Sequence, residues 1–159
     1  MAKKSNKKER GIYLLVVDTT EEFSVAIDYA CRFAAAHEGH VALLSVMEMQ
    51  HVENWHGIEQ RMRQELRAQA EQMIWDAAKQ VMARSGEIPM VCIEEGDRID
   101  VILKTIADNP NIGALILGAS TVSSSPGPLV SYFAGKGLSK LPVPLMIVPG
   151  NLAPLPSEE

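Results

Sequence analysis

Two stretches of the sequence combine residue types that could do chemistry: Asp18-Thr19-Thr20, and Gly118-Ala119-Ser120-Thr121-Val122-Ser123-Ser124-Ser125-Pro126-Gly127. Asp18 closes an apolar run and precedes a helical segment. It can accept a hydrogen bond from a ribose or an adenine, or simply interact with the N-terminus of the following helix. The second stretch offers flexible backbone and five hydroxyls ahead of a helix start, where backbone N–H groups can hold a phosphate. A serine-rich loop is equally the commonest plain connector. Neither the glycine-lysine phosphate loop nor the Gly-x-Gly-x-x-Gly dinucleotide pattern follows the first apolar run, which disfavours both cofactor modes.

Other chemistry finds less support. His51 and His56 stand five apart, whereas metal ligands on one helical face stand three or four apart, so no metal site is expected. Cys31 and Cys92 match no metal or redox spacing and read as two core positions in a reducing cytoplasm. No nucleophile, base and orienting group occur together, so an enzyme is not expected. A phosphoacceptor role for Asp18 needs an acidic cluster around Mg²⁺, and the acidic Glu94-Glu95-Asp97 group belongs to a different strand.

The elements that must position these residues can be read from periodicity. Ile12 to Val17 is a β-branched, apolar run of the kind found in strands buried on both faces. Thr19 or Thr20 can cap the next helix, with Glu22 completing a capping box after Thr19, and Gly39 ends it. Val41 to Met47 is a second strand. A long amphipathic helix follows from about Glu53 to Arg84, carrying Trp55, Ile58, Met62, Leu66, Met73, Ala77 and Val81 at helical spacing and closed by Gly86. Trp55 and Trp75 read as core or dimer-contact residues, and Met47, Met49, Met62, Met73 and Met82 as fillers of irregular gaps.

Ile88 to Ile93 is a third strand, after which Asp97 can cap a helix that Asn109-Pro110 stops. Ala114 to Leu117 is a fourth strand, a short helix spans about Leu129 to Lys140, and Val143 to Val148 is a fifth strand. Buried strands alternating with helices specify one α/β domain over residues 11–150, with a parallel sheet covered on both faces. Residues 1–10 read as a basic disordered tail and 151–159 as a C-terminal tail. In such a sheet ligands sit outside the carboxyl ends of the strands, where the strand order reverses.

With 159 residues, 47% of them apolar, the chain suffices for one domain with a core of its own. Its net charge is −5, and five of its fifteen basic residues lie in the first ten positions, so the body is more acidic still. An acidic body argues against nucleic-acid binding. No apolar run approaches the ~18 to 20 residues needed to cross a bilayer, and no secretion signal is read, so a cytoplasmic location is expected.

Four passages, taken in order, resemble the universal stress proteins. They are Leu14-Leu15-Val16-Val17-Asp18; Val41-Ala42-Leu43-Leu44-Ser45-Val46; Glu95-Gly96-Asp97 before a helix; and Leu115-Ile116-Leu117-Gly118-Ala119-Ser120 with Pro142-Val143-Pro144-Leu145-Met146-Ile147-Val148 at the end. The resemblance implies an adenine nucleotide alpha hydrolase-like fold, a single-domain open parallel five-stranded sheet of order 3-2-1-4-5. It also implies a homodimer joined through the strand Val143 to Val148 and, in one subclass, ATP with Mg²⁺ at the switch point.

That subclass carries Gly-x-x-Gly, nine residues, then Gly and Ser or Thr. Here Gly118 keeps the first glycine, Thr121 replaces the second, and Ser131-Tyr132 replaces the closing pair. A Cβ at the lost glycines can keep the backbone from phosphate, and Tyr132 would crowd the anion site. By the same resemblance Asp18 is the adenine or ribose contact and Val46 part of the adenine wall; apart from the resemblance, Ser123 to Ser125 and Gly127 offer the makings of a variant cradle. The expected function is therefore a non-catalytic stress-response dimer acting through binding or protein interaction. The alternative is an ATP-binding nucleotide sensor with a variant phosphate loop.

Overall fold

Alternation of side chains across the pleat divides the apolar strand residues between two helical layers, and this division organises the whole chain. The structure is a computed structural model that describes residues 11–48 and 56–153. Its elements run β1 (Ile12–Val16), α1 (Glu21–Ala36), β2 (His40–Met47), α2 (His56–Ser85), β3 (Met90–Glu95), α3 (Arg98–Asp108), β4 (Ile112–Ala119), α4 (Pro128–Ala134) and β5 (Leu145–Pro149). All neighbouring strands are parallel, in the order β3-β2-β1-β4-β5.

Tyr13, Leu15, Val41, Leu43, Ala114 and Ile116 face one layer, where Phe23, Ile27 and Ala30 of α1 and Ile74, Ala77 and Val81 of α2 cover them. Leu14, Val16, Leu44, Leu115 and Leu117 face the other, under Ile102 and Ile106 of α3 and Val130 and Phe133 of α4. Both faces of the central strands are thus dry, which is why those strands read as unbroken apolar runs.

Several boundaries differ from expectation for local physical reasons. The capping box at Thr19 does not form: Thr20 is the N-cap of α1 without a side-chain bond, and Asp18 Oδ1 instead accepts from the Thr20 N–H at 3.2 Å. Asp97 caps α3 as expected, accepting from the Asp100 N–H at 3.1 Å. The single short helix expected over Leu129 to Lys140 is two pieces, α4 and a 3₁₀ turn at Leu138–Lys140, divided at Gly135 to Gly137. The fifth strand starts only at Leu145: the two prolines before it cannot donate to a ladder, and the Pro144 carbonyl accepts from the Leu115 N–H at 3.0 Å.

Trp75 is 55% exposed on α2 and is not a core residue; Cys92 is only half-buried, while Cys31 is buried. The basic tail, Met49, His51 and Trp55 lie outside the described residues. No helix among the described residues is long and apolar enough to cross a membrane.

Candidate functional site

The chain leaves β1 toward α1 on one face and leaves β4 toward α4 on the other, so a crevice opens between those two loops at the carboxyl ends of the strands. Two adjoining cavities occupy this end of the sheet. One, of about 310 Å³, is lined by Asp18, Glu22, Phe23, Arg98, Gly118, Ser120, Ser123, Ser125 and the segment Pro126 to Val130, among others. The second, of about 250 Å³, is lined by Val17, Asp18, Ser45, Val46, Met47, Glu48, Leu66, Met73 and Arg98, among others. Asp18 and Arg98 stand in the walls of both.

The two lobes differ in chemistry because different elements build them. Residues of β2 and the middle of α2 give the smaller lobe an apolar wall of Val46, Met47, Leu66 and Met73. The larger lobe is walled by the loop after β4, whose hydroxyls bond within the loop itself. Ser123 Oγ lies 2.9 Å from Ser120 Oγ and donates to the Ser125 carbonyl at 2.7 Å; the Ser120 N–H donates to the Pro126 carbonyl at 3.0 Å. These bonds fold the segment into an ordered turn rather than an open connector. At its end Gly127 has φ of 116°, a backbone conformation that other residues rarely adopt, and the Gly127 N–H donates to Ser125 Oγ at 3.3 Å.

The six expected site residues therefore separate. Asp18, Val46 and Gly118 line the two cavities. Thr121, Ser131 and Tyr132 are not among the residues lining either one. Ser131 Oγ stands 3.5 Å from Ser125 Oγ. The Tyr132 ring packs edge-on against Phe133, with centroids 5.1 Å apart, and a Cβ on Gly137 would collide with its Cε1. Tyr132 thus fills the space where α4 breaks and does not crowd the cleft, contrary to the expectation that it would.

Sequence reasoning missed Arg98, Glu22 and Glu48. The α3 backbone starts with the Arg98 N–H donating to Glu48 Oε1 at 3.2 Å, which ties β2 and α3 together at the mouth of the cleft. A cation in the first turn of a helix opposes the helix dipole, and that local conflict at Arg98 was the available signal.

A larger cavity, of about 430 Å³, lies at the opposite end of the sheet, between α1, α2 and the start of β2. Its charged groups are matched with one another: Arg32 and Arg84 both pair with Asp28, at 3.3 and 3.4 Å, and His40 Nδ1 meets Glu87 Oε2 at 2.7 Å. Burial pushes the Cys31 thiol there up to about 11, with Arg84 opposing the shift, so the sulfur stays protonated and inert near neutral pH. Size alone does not make this the candidate, because its polar groups already have partners.

Fold and cleft define the class: an open α/β protein with a ligand crevice at its topological switch point. The chain belongs to the universal stress protein family, whose model matches residues 12–149. It is similar to the universal stress protein UspA from Lactobacillus plantarum, with 20% identity and a TM-score of 0.72 over 88% of this chain and 98% of that one. It is also similar to a universal stress protein solved in complex with cAMP, with 12% identity and a TM-score of 0.60 over 88% and 97% of the two chains. A family protein from Arabidopsis thaliana with AMP bound matches at 14% identity and a TM-score of 0.62 over 92% and 96%. At these identities the likeness shows the fold. No curated protein matches the chain.

Proposed function

We propose that this universal stress protein acts by binding an adenine nucleotide in the switch-point cleft, without turning it over. The observation that carries the reading is the pair of adjoining lobes sharing Asp18 and Arg98, one walled by apolar side chains and the other by the glycine- and serine-rich loop. An adenine is flat and apolar on its faces and suits the wall of Val46, Met47 and Met73; a phosphate needs donors and suits the Ser120 to Gly127 lobe. Asp18, between them, accepts from a ribose hydroxyl. The complexes with cAMP and with AMP among similar structures favour the same class of ligand.

The lost glycines do not count against this reading, because Thr121 and Ser131 stand outside the cleft wall. Gly118 and Gly127 supply the close backbone instead. Mg²⁺, where it accompanies a nucleotide, has Asp18 and Glu22 as carboxylates on the cleft wall. The protein works as a cytoplasmic homodimer whose subunits meet along the β5 edge, where Ile147 is 39% exposed. Isothermal titration with adenosine, AMP, and ATP with Mg²⁺ tests the binding claim. Saturable heat with at least one of them, weakened about tenfold or more in Asp18→Ala, is the expected result. Flat titrations with all three would leave a dimeric interaction module that binds no nucleotide.

A further inference from the structure

Charge is distributed unevenly around the cleft. Of the ionisable residues in its two walls, Asp18, Glu22 and Glu48 are acidic, and Arg98 supplies the positive charge. Among the described residues neither wall contains a lysine. Arg98 is half-buried, and among the described residues its guanidinium makes no hydrogen bond or ion pair; only its backbone N–H is engaged, with Glu48. A guanidinium without a protein acceptor keeps its five N–H donors available to a ligand oxygen.

Arg98 also stands at the seam. It borders the apolar lobe and the serine lobe together, so an anion it holds lies next to the nucleoside rather than at the far end of a phosphate chain. One arginine matches one phosphate, bidentately. A triphosphate would send its outer phosphates farther into the serine lobe, which offers neutral hydroxyls and, among the described residues, no second cationic side chain.

Resting on the nucleotide reading above, we infer that Arg98 is the specificity-determining residue of the cleft, gripping the phosphate attached directly to the nucleoside and selecting nucleoside monophosphates over triphosphates. The charge in this site then comes from the first turn of α3 rather than from the loop after β4.

Affinities of adenosine, AMP, and ATP with Mg²⁺ for the full chain, compared with Arg98→Gln and Arg98→Lys, test the inference. In the native protein AMP binds about 10- to 100-fold tighter than adenosine, and ATP with Mg²⁺ binds more weakly than AMP. Arg98→Gln removes that preference, weakening AMP far more than adenosine, and the fold persists because the arginine side chain bonds no other described residue. Arg98→Lys keeps part of the preference, a point charge without the fork. Equal effects of Arg98→Gln on adenosine and AMP, or ATP with Mg²⁺ binding as tightly as AMP or tighter, would overturn the inference while leaving the cleft a nucleotide site. Binding of none of the three would overturn both readings together.

Discussion

Gly118 is the one glycine of the expected phosphate motif that the chain keeps, and its missing side chain matters first for packing. A Cβ there would stand 2.8 Å from the Glu22 carbonyl oxygen, and one on Gly150 would stand 2.7 Å from the Glu22 Cβ. The first turn of α1 is thus wedged against the ends of β4 and β5. Gly118→Ala is expected to destabilise the protein by about 1–3 kcal/mol in urea unfolding, because backbone rather than a flexible side-chain tip must give way. An unchanged midpoint would mean that α1 and β4 are not in this contact. Asp18, Val46 and Gly118 were legible as residues of the cleft wall because each lies at a strand end that the periodicity marks. Thr121, Ser131 and Tyr132 were placed by motif spacing alone, and spacing along a loop does not say which way the loop turns. Arg98 was missed because a single cation at a helix start resembles an ordinary surface residue.

Helices and strands were mostly legible from the sequence, and their misreadings share a cause. The apolar runs of β1, β2 and β4 are buried on both faces, so their periodicity has little competition. Elements at the margins are set by tertiary detail. Val143 is buried and apolar, yet flanking prolines keep it out of β5. The N-terminal half of α2 is a further case: Ile58 is 44% exposed, although it shares the helical spacing that places Val81 in the core. That half of α2 is held from the side instead, where the Arg63 guanidinium meets Glu95 at the end of β3 with bonds of 3.1 to 3.3 Å. An amphipathic stripe predicts a helix; it does not say how far the sheet beneath it extends. The loop after β4 is the opposite case, a connector by composition that its own serine hydroxyls fold into the wall of the cleft.

At the scale of the whole molecule, the strand order was the resemblance's contribution, and the layers followed from the pattern of buried runs. The order leaves two open edges, β3 and β5. Unpaired strand edges invite pairing, and subunit contact along β5 is the expected use of one of them. Light scattering is expected to give a dimer at micromolar concentration and a monomer for Ile147→Asp, which sets a charge in the middle of that edge. A monomeric native protein would contradict the dimer, and a variant that stays dimeric would move the contact elsewhere. The same order creates the crevice between β1 and β4, and the central claim is that an adenine nucleotide lies there. Backbone amide chemical shifts recorded while labelled protein is titrated with AMP, and separately with ATP and Mg²⁺, locate the ligand most directly. Saturable shifts gathered at Asp18, Val46, Arg98, Gly118 and residues 120–127 are the predicted result. Shifts gathered instead around Cys31, His40 and Arg84 at the other end of the sheet, or none that saturate with either nucleotide, would contradict it.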